Sequence, residues 1–134
     1  MIKICLDTNI FVSALLFGGQ PEEILFMARD KKIELIVSPA ILDELKVVLI
    51  EKFAYSELDV KKMLEAVASI STIIVPKRRI HKIKYNPDNR ILETSIEGKV
   101  DYIVTGDKKH LLLLKNFQDI PIVTCAQFLK LKQQ

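Results

Sequence analysis

Short β-type apolar runs alternate with segments of helical periodicity along the whole chain, and that alternation limits the fold more than anything else. The runs are Ile2–Leu6, Ile33–Val37, Thr72–Val75, Asp101–Thr105 and Ile120–Val123. Between and after them lie segments with an apolar helical stripe: Ile10–Phe17, Pro21–Lys31, Ser38 towards Phe53, Glu57–Ile70, Asn86–Gly98, Leu111–Leu114 and Ala126–Leu131. Strands joined through helices run parallel, with helices packed on both faces of the sheet. At 134 residues the chain has the length of one domain, taken here as residues 1–134.

Two of the strand-to-helix joints carry an acid. Asp7 follows the first run in Leu6-Asp7-Thr8-Asn9, and Asp107 follows the Asp101–Thr105 run after Gly106. In a parallel sheet both fall at the edge where the carboxyl ends of the strands open into a crevice, the usual ligand site of such sheets. The commonest reason for an acid at such a joint is a helix N-cap. Either acid alone reads equally well as a cap or as a ligand.

Helix geometry sorts the remaining acids. Ser38-Pro39 is the clearest helix start in the chain, with Ser as N-cap and Pro in the first turn. Stepping about 100° per residue from Leu45, the core residues Ile41, Leu42, Val48 and Leu49 fall within about 60°. Asp43 lies nearly opposite and is expected in solvent. Glu44 sits about 100° off, on the flank, where it can reach into a cleft. On the helix opened by Asn86-Pro87, Asp88 falls about 40° from the core axis at Leu92, while Glu93 and Glu97 point about 100° and 140° away. Its plainer role there is to complement the helix dipole.

Several carboxylates at one edge raise each other's pKa values and require a cation. An all-oxygen donor set suits Mg²⁺ or Mn²⁺, which activate water and steady a displacement at phosphorus. No zinc pattern competes, because His81 and His110 lie far apart and both read as surface residues. Cys5 and Cys125 are isolated in apolar surroundings and read as core thiols, not a disulfide framework. With no leader-like segment and no apolar run near 18 residues, a cytoplasmic location and no membrane contact are expected. A net charge of +3 does not by itself point to nucleic acid. Its distribution does more: Lys77, Arg78, Arg79, Lys82 and Lys84 form a run without an acid, and Lys108 and Lys109 stand beside Asp107.

Four pieces, LDTN at 6–9, SPAILDEL at 38–45, PDNRILE at 87–93 and DYIVTGDKKHLL at 101–112, resemble the PIN domain family. These are metal-dependent ribonucleases that include the VapC-like toxins of bacterial and archaeal toxin–antitoxin pairs. The resemblance spans nearly the whole chain. It implies a three-layer α/β/α sandwich around a mostly parallel sheet of about five strands. It also implies an acidic tetrad at Asp7, Glu44, Asp88 and Asp107, supported by Asn9 and Thr105, to which the mechanism expected here adds Thr8 as a hydrogen-bonding group. The implied activity is Mg²⁺- or Mn²⁺-dependent hydrolysis of single-stranded RNA, with a small antitoxin and a second copy of the chain as partners. Two departures stand out: many relatives carry a further Asp shortly before the third acid, where this chain has Tyr85-Asn86-Pro87, and Asp101 is expected at the opposite sheet edge.

In this reading the basic run at 77–84, with Lys108 and Lys109, tracks the RNA backbone, a contact that gives affinity without sequence information. A solvated loop explains the run equally well. Tyr85 is suited to stacking on a base, or to half-buried packing. The main alternative function is a catalytically weak module that binds RNA or protein, although retention of all four acids speaks against it. An aspartyl-nucleophile phosphotransferase is a lesser one, since such enzymes carry a second Asp where this chain has Asn9. A nucleotide-binding Rossmann domain is lower still, because Gly18-Gly19 follows a helix, not a strand.

Overall fold

A computed structural model describes residues 1–82, 86–107 and 111–132 of the chain. Strand β1 (Lys3–Leu6) leads through Asp7 into α1 (Thr8–Leu16), α2 (Gly19–Arg29) and β2 (Glu34–Val37). Helices α3 (Pro39–Glu51) and α4 (Glu57–Ser69) follow, then β3 (Ser71–Ile73), α5 (Asn86–Glu97) and β4 (Tyr102–Val104). After these come α6 (Leu111–Leu114), β5 (Asn116–Phe117), β6 (Ile120–Val123) and α7 (Cys125–Lys132).

The sheet order is β3-β2-β1-β4-β6-β5, and every pairing is parallel except β5 with β6. Five parallel strands therefore match the expected sheet, with one addition. The two-residue strand β5 forms a tight hairpin with β6 through Gln118 and Asp119, whose φ values are 47° and 70°. Both turn residues take the left-handed conformation that such hairpins need. No glycine marks the turn, so the sequence gives no hairpin signal there.

Ile4, Cys5 and Leu6 are all fully buried. Successive strand residues point to opposite faces, so helices must cover both, as in a three-layer sandwich. Helix α5 packs on β1 and β2, and α7 on β4. The chain moves from β1 to β2 and β3 on one side, then returns to β4 on the other side of β1. That reversal opens a crevice at the carboxyl ends of β1 and β4.

Two helices are fixed beside the crevice by specific contacts. Ser38 caps α3, its hydroxyl accepting the Ile41 N–H at 3.4 Å, and the stripe Ile41, Leu45, Val48 and Leu49 is buried as the periodicity required. The Thr94 hydroxyl of α5 stands 2.8 Å from that of Ser38, joining α3 to α5 inside the core. At the far end of α5, a Cβ on Gly98 would meet Ile36 Cγ2 at 2.6 Å. Gly98 is thus required by close helix-to-strand packing. The left-handed residue that ends the helix is Lys99, with φ 52°. Helix α2 starts at Gly19, two residues before the Pro21 start expected from sequence, because Gly18 and Gly19 both take positive φ and turn the chain directly into it. Among the described residues, no single helix is long and apolar enough to cross a membrane.

Candidate active site

Asp7 lies at the reversal point, one residue past the end of β1. Its N–H donates to Val104 O at 3.1 Å, extending the β1–β4 ladder by one step. The side chain is 4% exposed, and its two oxygens do different things. Oδ1 accepts the Ile10 N–H at 2.9 Å and caps α1. Oδ2 accepts the hydroxyl proton of Thr105, which is fully buried one residue past β4. The same Thr105 oxygen accepts the Asp107 N–H at 3.0 Å. Asp7 is therefore a helix cap and also half of a linked acidic pair.

Burial pushes the Asp7 carboxyl above its usual range, and the nearby Asp107 charge pushes it further. The hydrogen bonds from Thr105 and from the Ile10 N–H oppose this but do not cancel it. Both upward pushes act on the charged form, one by taking it out of water and the other by setting a like charge beside it. Burial likewise drives the Cys5 thiol behind it to about 12, so Cys5 is an inert core group.

Asp88 opens α5 and is 7% exposed, on the inward side given by the helical angles. Glu44 is half-buried in the second turn of α3, whereas its neighbour Asp43 is exposed. Asp7, Glu44, Asp88 and Asp107 all line one cavity of about 50 Å³, together with Thr8, Asn9, Pro87 and Ile91. That is room for an ion and a few waters, not for a base. Thr105 stands behind the cavity wall. Asp101 is at the opposite edge, where its carboxylate accepts the Lys3 N–H at 2.8 Å.

The donor set fits a hard divalent cation, since among the described residues every charged group on the cavity is a carboxylate and no thiol or imidazole lines it. Among the described residues, however, no three acidic, histidine or cysteine side chains already stand at common ligating distance.

The described residues of the basic run are elsewhere. Lys77, Arg78, Arg79 and Lys82 are exposed and do not line the cavity. Lys84, Tyr85, Lys108, Lys109 and His110 lie outside the described residues. His81 is exposed.

On α5 the flank about 100° from the core axis is covered, and Glu93 there is 5% exposed. It pairs with Arg90 at 2.9 Å and accepts the Ile80 N–H at 2.7 Å, because the chain preceding α5 folds back over that flank. Wheel angles describe one helix and cannot see a segment laid across it. An acid three residues after an arginine, Arg90 and Glu93, is the sequence trace of this ion pair.

Comparison with known proteins bears on family and fold. A family model described as "PIN domain" matches residues 3–109. A curated relative, uncharacterized protein MJ1680 of Methanocaldococcus jannaschii, is 35% identical over 112 residues, covering 80% of this chain and 72% of its own. Among solved structures, a chain of VapBC2 from Rickettsia felis, crystallised bound to a DNA fragment from its promoter, superposes with a TM-score of 0.66 at 18% identity. The match covers 92% of this chain and 98% of that one. At that identity the likeness speaks to the fold.

Proposed function

The chain belongs to the PIN domain family, and we propose that it is a metal-dependent endoribonuclease hydrolysing phosphodiester bonds of single-stranded RNA. The observation that carries the reading is the meeting of Asp7, Glu44, Asp88 and Asp107 on one small cavity at the sheet's reversal point. A nuclease site of this kind needs several acids from distant parts of the chain on one wall. An aspartyl phosphotransferase would need only one of them.

Asp7 and Asp107 would be the principal ligands of Mg²⁺ or Mn²⁺, with Glu44 and Asp88 completing the set. When bound, such an ion polarises a phosphoryl oxygen and lowers the pKa of water. The chain's own residues do the rest. Thr105 ties the Asp7 carboxylate to the backbone of Asp107. Burial holds the Asp7 carboxyl above its usual range, and a bound cation would favour its charged form. Glu44, half-buried on the flank, orients the attacking water. The water's oxygen would form the new bond to phosphorus as its proton passes to a site carboxylate, while the bond to the leaving ribose oxygen breaks and that oxygen takes a proton from solvent. Thr8 and Asn9 line the mouth as supporting polar groups.

The basic residues Lys77, Arg78, Arg79 and Lys82 would track the RNA backbone. The family resemblance also supports a toxin role, with a small antitoxin and a second copy of the chain as partners. The fold shared with VapBC2 is in keeping with that role.

The test is cleavage of labelled single-stranded RNA by protein first stripped with EDTA. Restoring Mn²⁺ or Mg²⁺ should restore cleavage. Cleavage that persists undiminished in EDTA would remove the metal from the proposal. RNA that is bound but stays intact with either ion would leave a binding module instead.

A further inference from the structure

The segment before α5 is not a free loop. It is held on α5 by its backbone: the Lys77 N–H donates to Glu97 Oε1 at 2.9 Å, and the Ile80 N–H to Glu93 Oε2 at 2.7 Å. Arg90 completes the grip by donating from Nη2 to Ile80 O at 3.0 Å. Both polar backbone groups of Ile80 are therefore taken by one ion pair, whose side chains are only 13% and 5% exposed.

Direction and charge follow from this. The contacts pass from Glu97 to Glu93 and Arg90 as the segment runs from Lys77 to Ile80. It therefore travels antiparallel to α5, towards the helix start where Asp88 lines the cavity. Arg90 is two residues from Asp88, an axial step of about 3 Å. The acids beneath the segment are spent on its N–H groups and on Arg90. Among the described residues, none of Lys77, Arg78, Arg79 or Lys82 makes an ion pair, and all four are exposed. A solvated loop needs no buried clamp, and acids placed to neutralise the run would face its side chains.

We propose that Arg90 and Glu93 are positioning residues that clamp Ile80 and so hold Arg78, Arg79 and Lys82 as a fixed phosphate track leading single-stranded RNA to the acidic cavity. This rests on the RNA reading given above, and its test is separable from that of cleavage.

Binding of a fluorescein-labelled single-stranded RNA is followed by anisotropy in EDTA, where no cutting is required, over a range of KCl concentrations. Replacing Arg78, Arg79 and Lys82 together by Ala should weaken binding about tenfold or more at low salt. It should also lower the slope of log K against log salt by about 2, since each lost phosphate contact on a single strand removes about 0.7. Arg90→Met with Glu93→Leu removes both partners of Ile80 without leaving a buried charge alone. It should weaken binding to a similar extent and open the segment to trypsin at 78, 79 and 82. Added to the triple-alanine variant, it should cost nothing further, because it acts only through those cations.

Additive losses would overturn the clamp's role, and an unchanged salt slope in the triple variant would overturn the track. Should the double variant not fold, amide exchange on the wild-type protein decides. Ile80 must be protected relative to Arg79 and His81, and equal exchange would overturn the clamp. Tight RNA binding without Mn²⁺-dependent cleavage would sink the nuclease reading while leaving the track intact.

Discussion

The Thr105 hydroxyl donates to the Asp7 carboxylate across adjacent strands β1 and β4, one step beyond the last paired residues, Leu6 and Val104. Because the same oxygen accepts the Asp107 N–H, one side chain ties the Asp7 carboxylate to the backbone of Asp107.

Thr105→Val keeps the shape and removes the donor. An acceptor oxygen of a buried carboxylate is then left short of a partner, which should cost about 1–3 kcal/mol in denaturant unfolding. Cleavage should fall more than stability, and Thr105→Ser should recover much of both. Equal stability of the Val variant and wild type would show that the hydroxyl is not needed.

The raised pKa of Asp7 gives a pH dependence of definite sign. Its ordinary value is 3.8, and the folded value lies above it. Between the two, the folded protein keeps a proton that the unfolded chain releases. The stability this group contributes is complete below the unfolded value and is lost as pH rises through the folded value. In EDTA, the stability of wild type minus that of Asp7→Asn should therefore decrease with rising pH. Mn²⁺ should raise the Tm of wild type, and more so at the higher pH, because it favours the ionised carboxylate. A difference that grows with pH in EDTA would contradict the burial argument.

Gly98→Ala sets a methyl group 2.6 Å from Ile36 Cγ2. Overpacking of this kind costs about 1–3 kcal/mol. The loss should be partly recovered by Ile36→Val or Ile36→Ala, measured as a double-mutant cycle. A neutral Gly98→Ala would show that α5 can lift from β2 without penalty.

Local rules carried the reading wherever one element decides the outcome. Ser38-Pro39 capped α3 as its residue types require, and the helical angles separated half-buried Glu44 from exposed Asp43. The alternation of runs and stripes gave the parallel sheet, and with it the shared edge of Asp7 and Asp107. What stayed hidden depends on contacts between elements. Glu93 is buried because the 77–82 segment lies over it, Gly98 is needed because Ile36 is close, and β5 exists only as the partner of β6. Thr105 was singled out through family resemblance, but its link to both acids appears only once β1 and β4 are in register.

The central claim is that the four acids on the cavity form one cation-dependent site for cutting RNA. Its most direct test is the rate of single-stranded RNA cleavage at saturating Mn²⁺ for wild type, Asp7→Asn and the neighbouring control Asp43→Asn. The account predicts a loss of at least about a hundredfold for Asp7→Asn, equivalent to about 2.7 kcal/mol of transition-state stabilisation, with the control unchanged. Asp7→Asn cutting at the wild-type rate while folded, or a wild type that Mn²⁺ does not activate, would contradict it.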